Sequence, residues 1–302
     1  MKKIFLAVVL AFALFTGANA QLLYKVSGNA LSKPSYIVGT YHLAPASFVK
    51  SIPGALAAID EVDVVCGEVV MSEMNGKENK EKVMEAMYLP KGQTIADILT
   101  PDEMEKLNSF MKRTLGFSFK NPIIMNQMGN MSPMSIETLL SVTISKEVVP
   151  DYNPLKLIDE YFQKQAKKRG KTVAGLESVD FQLATLYKGT SIERQKEQLM
   201  CLVENEEYNM MITKQLADAY FSQNLDAIYA ITQEKMNSSC DSTPEEENRL
   251  IYDRNAAWAE KMPTMMAGNS TLFVVGAAHL PGERGVLGLL KQKGYIVEPV
   301  LK

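Results

Sequence analysis

The chain has 302 residues, 46% of them hydrophobic and 22% charged, with 32 Lys and Arg against 35 Asp and Glu and a formal net charge of −3. A mildly acidic balance disfavours binding to nucleic acid or to an anionic membrane surface, because both recruit clustered cations. The length suits one large domain or two closely joined halves, and no low-complexity or linker-like stretch marks a boundary between them.

Residues 1–20, MKKIFLAVVLAFALFTGANA, carry Lys2 and Lys3, then an apolar stretch too short for a stable span, then Ala18-Asn19-Ala20. That is the layout of a secretory signal peptide with an A-x-A cleavage site. The mature chain is expected to start at Gln21, without a cysteine to take a lipid, and to work in the periplasm or outside the cell. No later run is apolar for long enough to predict a membrane span in the mature chain.

Strand-like runs rich in β-branched and aromatic residues follow at 22–27, 35–39, 62–70, 171–175, 271–276 and 295–300. Helical patterns fill most of the rest, about 77–169 and 180–267, with the strand KTVAGLE between them. Thr100-Pro101, with Glu103 three residues after the cap and Gly116 at the far end, predicts a capped helix; Thr243-Pro244 starts another. The segment YNPLKLIDEYFQKQAKKRG predicts a third, opening at Asn153-Pro154 with Leu155, Ile158 and Phe162 on one face. Strands separated by helices predict an α/β (α+β) layered fold on a central sheet with a large helical middle.

The methionines of IIMNQMGNMSPM fall at helical spacing among Ile and Leu and are expected to pack in a core. Cys66, inside an apolar strand, is expected to be a buried small hydrophobe. Cys201 and Cys240, both in the polar helical region, are candidates for a disulfide because the chain is destined for an oxidising compartment.

The chemistry points elsewhere, to YIVGTYHLA at 36–44 and LFVVGAAHL at 272–280. Each is an apolar run, a glycine, two residues, a histidine and a leucine, and His42 and His279 are the only two histidines of the sequence. With 18 glycines in 302 residues, chance is a poor explanation for both histidines having Gly three places before them. Each run predicts a strand whose glycine lets the backbone turn and deliver an imidazole past the strand's carboxyl end, the rim where ligands bind in open α/β sheets. Two imidazoles there suit a transition-metal ion, and a catalytic site adds a carboxylate. Glu68, straight after Gly67, is the best candidate and Glu177, ending KTVAGLE, the second. An acid in an apolar setting needs a metal or an arginine as partner; Arg254, beside Asn255 on the helix leading to the second motif, is such an arginine.

In order along the chain, YIVGTYHLAP, EVDVVCGEV, GKTVAGLESVDFQLATL, the pair RN and LFVVGAAHLPGERGVLGLLKQKGYIVEPV resemble the TraB/GumN family, which includes the Tiki-type metalloproteases. The resemblance implies a single domain over 21–302 made of two related halves, about 21–150 and 151–302. It further implies a metal-dependent, peptidase-like site on His42, Glu68 and His279, with Arg254 and Asn255 as its RN pair and Glu177 as a secondary member. The expected ion is manganese, cobalt or zinc, and the expected substrate a peptide or protein. Glu68 is a ligand or a general base, and Arg254 or Asn255 would face a developing oxyanion. The alternative is a non-catalytic extracytoplasmic binder of a peptide, haem or other small ligand through the same site. Nucleophilic hydrolysis by Ser or Cys is disfavoured: there is no G-x-S-x-G elbow and nothing activates Cys66.

Overall fold

The computed structural model describes residues 21–149 and 151–301, so the predicted leader lies outside the described residues. Six strands form where the apolar runs are densest: β1 (Leu23–Ser27), β2 (Ser35–Thr40), β3 (Val64–Gly67), β4 (Thr172–Gly175), β5 (Thr271–Gly276) and β6 (Ile296–Pro299). They make one mixed sheet in the order β4-β3-β5-β2-β1-β6. The pairs β4/β3, β3/β5 and β5/β2 are parallel, while β1 runs antiparallel to both β2 and β6. β2 is buried throughout and β5 at all but its last residue, as expected of parallel strands covered on both faces.

This order brings distant parts of the sequence to one rim. The four parallel strands β4, β3, β5 and β2 end on the same side of the sheet, and immediately past their ends come Glu177, Glu68, His279 and His42. β2 and β5 lie side by side with Thr40 opposite Gly276, so the two Gly-x-x-His stretches leave the sheet as neighbours. Gly39 permits this closeness: a Cβ there would stand 2.9 Å from Leu280 Cδ1 and 3.1 Å from the Ala277 backbone.

The main core covers the sheet with Ile37, Val38, Val65, Phe273 and Val275, and includes Trp258 and Tyr220 from the helices. A second core joins the helices Pro101–Leu115, Pro133–Val148 and Ile192–Glu204 through Leu107, Phe110, Ile136, Leu140 and Leu199. Met125, Met128 and Met131 pack against this second core, as their spacing predicts. Burying each large side chain of this kind contributes about 2–3 kcal/mol. A disulfide links Cys201 to Cys240, and Cys66 is buried and free. No helix among the described residues is long and apolar enough to cross a membrane.

Three local expectations need correction. The strand expected over 62–70 is only Val64–Gly67: Val62 N–H caps the preceding helix, and past Gly67 the chain turns aside, with Val69 O and Met71 N bound to the Gln163 amide. The helix expected from Asn153-Pro154 starts at Ile158. Asn153 Oδ1 instead accepts from Leu155 N–H in a local turn that leaves Leu155 78% exposed. Finally, the helix opening at Thr243 does not run evenly: the capped turn Pro244–Glu247 passes through a π-helical turn, Asn248–Tyr252, before Asp253–Gly268. Such bulges re-aim the residues that follow, and here those are Arg254 and Asn255.

Candidate functional site

Arg254 is the hub. Its Nη2 donates to Glu68 Oε2 at 2.6 Å and to Glu177 Oε2 at 2.9 Å, while Nε donates to Glu177 Oε1 at 2.7 Å. The guanidinium and both carboxylates are almost fully buried, with side-chain exposures of 5%, 11% and 3% for Arg254, Glu68 and Glu177. Its Cζ lies 4.8 Å from the Trp258 ring centroid, and Trp258 Nε1 donates to Glu177 Oε1 at 2.9 Å. The bidentate grip on Glu177, closed by the indole, fixes the guanidinium from below; Glu68 takes its free side. Burial opposes the charge on Arg254, but the two carboxylates hold its pKa above the ordinary value.

Glu68 is held from all sides. Besides Arg254, its Oε1 accepts from Gly276 N–H at 2.9 Å and its Oε2 from Gln182 Nε2 at 3.3 Å. Burial would raise its pKa, yet the neighbouring His279, His42 and Arg254 with the Gly276 N–H hold it below the usual carboxylate range. Glu68 is therefore an ionised acceptor near neutral pH.

The two histidines occupy unlike settings. His279 lies past the end of β5 as expected, but it is buried there, 5% exposed. Its Nδ1 is 2.7 Å from Asn255 Oδ1 and its Nε2 is 3.3 Å from Arg254 Nη1. An amide oxygen on one side and a guanidinium donor on the other assign the proton to Nδ1 and the lone pair to Nε2. Burial, helped by Arg254 and His42, lowers its pKa to about 4 against the pull of Glu68. The Trp258 and His279 ring centroids are 4.5 Å apart, so the imidazole is wedged as well as hydrogen-bonded. Asn255 Nδ2 donates to Arg284 O at 2.9 Å. Both ends of that amide are thus engaged within the protein, which makes Asn255 an orienting residue for His279.

His42, by contrast, has 69% of its side chain accessible. Its Nδ1 lies 3.2 Å from Asp159 Oδ2, and Asp159 Oδ1 accepts from Thr40 Oγ1 at 2.5 Å. Asp159 is the main reason that the imidazole pKa is raised, to about 9. This carboxylate holds the Nδ1 proton and leaves Nε2 facing the site. Asp159, Gln163, Gln182 and Trp258 were not among the residues picked out by the sequence. Asp159 lies in the first turn of the Ile158–Lys168 helix, where an acid ordinarily complements the helix dipole. Only its spacing of four from Gln163, which places both on one helix face, hints at a shared role.

The acids and imidazoles meet over Gly276. The position a Cβ would take there is 3.4 Å from Glu68 Oε1, 3.4 Å from His279 Cδ2 and 4.0 Å from His42 Nε2. The glycine thus leaves a small space bordered by all three side chains, and two of them, His42 and Glu68, also line a cavity of about 680 Å³. His42, Glu68, Asp159 and Arg254 line that cavity, with Met71, Met74, Leu155 and Leu186 supplying an apolar wall.

A family model for the TraB/PrgY/gumN family matches residues 22–299. The chain belongs to the TraB/PrgY/gumN family. It is also similar to a protein named "Metalloprotease TIKI homolog" of Amphimedon queenslandica, with 22% identity over 307 aligned positions covering 88% of this chain. The chain spans 59% of that relative's length. No solved structure matches the chain.

A divalent ion calls for donors that converge. Among the described residues, no group of three or more His, Cys, Asp or Glu side chains stands together at ligand spacing. Arg254, not an ion, neutralises Glu68 and takes the His279 lone pair in this arrangement. In chemistry the donor set fits: two imidazoles whose Nδ1 protons are each held by an oxygen, as oriented metal ligands typically are, and an ionised carboxylate around one glycine-made space.

Proposed function

We propose that the chain is a hydrolase, a peptidase acting outside the cytoplasm with a divalent ion such as manganese, cobalt or zinc held by His42, His279 and Glu68. The observation that carries this reading is the gathering of those three side chains around Gly276, with His42 and Glu68 on the wall of one cavity. The likeness to a protein named as a metalloprotease and the leader-like residues 1–20 support the chemistry and the compartment.

When bound, such an ion supplies an acidified water and polarises a carbonyl. The residues of the chain supply the rest. Asp159 and Asn255 hold the two Nδ1 atoms, so that both Nε2 atoms are oriented before substrate arrives; His42, protonated near neutral pH without an ion, would give up its Nε2 proton on holding one. Glu177 and Trp258 keep Arg254 charged at the site, where a guanidinium stabilises negative charge that develops on a substrate oxygen. Glu68, ionised and close to Gly276 N–H, is a proton acceptor or a ligand. Met71, Met74, Leu155 and Leu186 offer an apolar surface to side chains beside the reacting bond.

The closed set of contacts around Arg254 favours a second reading, a binder that captures a peptide, haem or other small ligand in the cavity without turnover. Incubation of the metal-loaded mature protein with a diverse peptide mixture, followed by mass spectrometry, separates the two. The hydrolase reading predicts new termini that disappear with Glu68→Ala. Peptides retained tightly but uncut by the loaded wild type would leave the binder.

A further inference from the structure

The cavity beside Glu68 is bounded in part by Leu186. That residue, on the π-helical turn Ala184–Lys188, lines both this cavity and a second one of about 710 Å³. Ala278 and Pro281, which bracket His279-Leu280, are part of the second cavity's wall. The second space therefore borders the His279 stretch and shares with the first the side chain of Leu186, which is 37% exposed.

Its lining differs in kind. Tyr187, Tyr208, Tyr229 and Tyr252 present aromatic surface, and the charged groups around it are Glu137, Glu234, Lys235, Asp241 and Glu247. Most of these are already engaged or solvated. Lys235 is paired with Glu247, Asp241 accepts from Met236 N–H at 2.7 Å and Ser238 N–H at 3.2 Å, and Glu234 is exposed. Glu137, on the Pro133–Val148 helix, is half-buried and has neither a hydrogen bond nor an ion pair among the described residues. Burial alone pushes its carboxyl up to about 7. A half-buried carboxylate with no partner among the described residues is open to a cation brought into the cavity, whose stem would lie against tyrosine rings.

We propose that the second cavity continues the substrate cleft and that Glu137 receives a lysine or arginine side chain of a bound peptide, at a position removed from the reacting bond. This rests on the peptide-directed reading of the site. Glu137 is thus a specificity-determining residue, and the preferred substrate is a peptide that combines apolar side chains near Glu68 with a cation farther along.

The test uses the mature, disulfide-intact chain and a series of fluorescent peptides in which one lysine is walked along an otherwise neutral, apolar sequence, with norleucine at the same places as control. Fluorescence anisotropy gives each Kd without requiring cleavage. Lysine at one position is expected to bind about tenfold more tightly than norleucine, the size of a charge-assisted hydrogen bond of about 1.5 kcal/mol. Glu137→Gln is expected to bind the two peptides alike, and Glu137→Lys to reverse the preference toward glutamate at that place, both with circular dichroism like the wild type. Peptides bound without a lysine preference, or a preference that survives in Glu137→Gln, would overturn the inference alone. A wild type that binds none of the peptides would overturn the peptide-directed reading together with it.

Discussion

The two Gly-x-x-His stretches are nearly the same in sequence and leave adjacent parallel strands, yet their histidines end in opposite electrostatic states. His42 stands at the cavity mouth beside Asp159, with its pKa raised to about 9, whereas His279 is buried against Trp258, with its pKa lowered to about 4. The strands are equivalent; the elements that cover them are not. Beside His42 the Ile158–Lys168 helix offers an acid, and beside His279 the Asp253–Gly268 helix offers an arginine, an amide and an indole. A repeated motif has thus been given two functions by its surroundings: one imidazole that water reaches and one that the protein holds.

The largest effect should come from removing the hub of the buried side. Arg254→Ala leaves Glu68 and Glu177 together in a buried space without their common cation, and losing one partner of a buried ion pair costs about 3–5 kcal/mol. Urea unfolding of the disulfide-intact protein should show that loss. A change within about 0.5 kcal/mol would mean that the cluster is open to water and the contrast between the two histidines overstated.

A gentler probe exploits the histidine count of two, which allows each imidazole to be followed by proton NMR without crowding. His279 should remain neutral until the pH falls toward 4, and His42 should lose its proton only near 9. The linked stability follows in sign. Because the folded pKa of His279 is below its ordinary 6.5, its contribution is present above that value and is lost as pH falls from about 6.5 toward 4. Because the folded pKa of His42 is above 6.5, its contribution is present below that value and is lost as pH rises through about 9. Asp159→Asn should move the His42 titration down toward 6.5 and leave that of His279 in place. Equal shifts of both would show one shared environment instead of two.

Much of this arrangement was legible in the sequence. The β-branched runs ending in Gly39 and Gly276 located β2 and β5, and the acid after Gly67 needed a partner that Arg254 supplies at 2.6 Å. The capping residues at Thr100 and Thr243 marked helix starts because their hydrogen bonds are local. What stayed hidden depends on contacts between distant segments. Asp159 is one acid among many in a helix's first turn until the sheet order brings β2 beside it. The exposure of Leu155 depends on a turn set by Asn153. The burial of His279 follows from a π-helical turn that aims Arg254 and Asn255, and hydrophobic periodicity does not distinguish such a turn from an ordinary helix.

The central claim is that His42 and His279, unlike as they are, serve one centre with Glu68. Metal content of the purified mature protein after loading with manganese, cobalt or zinc tests it most directly, with His42→Ala, His279→Ala and Glu68→Ala measured alongside. The account predicts stoichiometric ion in the wild type and a marked loss in each variant. No bound ion in the wild type, or equal content in the wild type and both histidine variants, would contradict it.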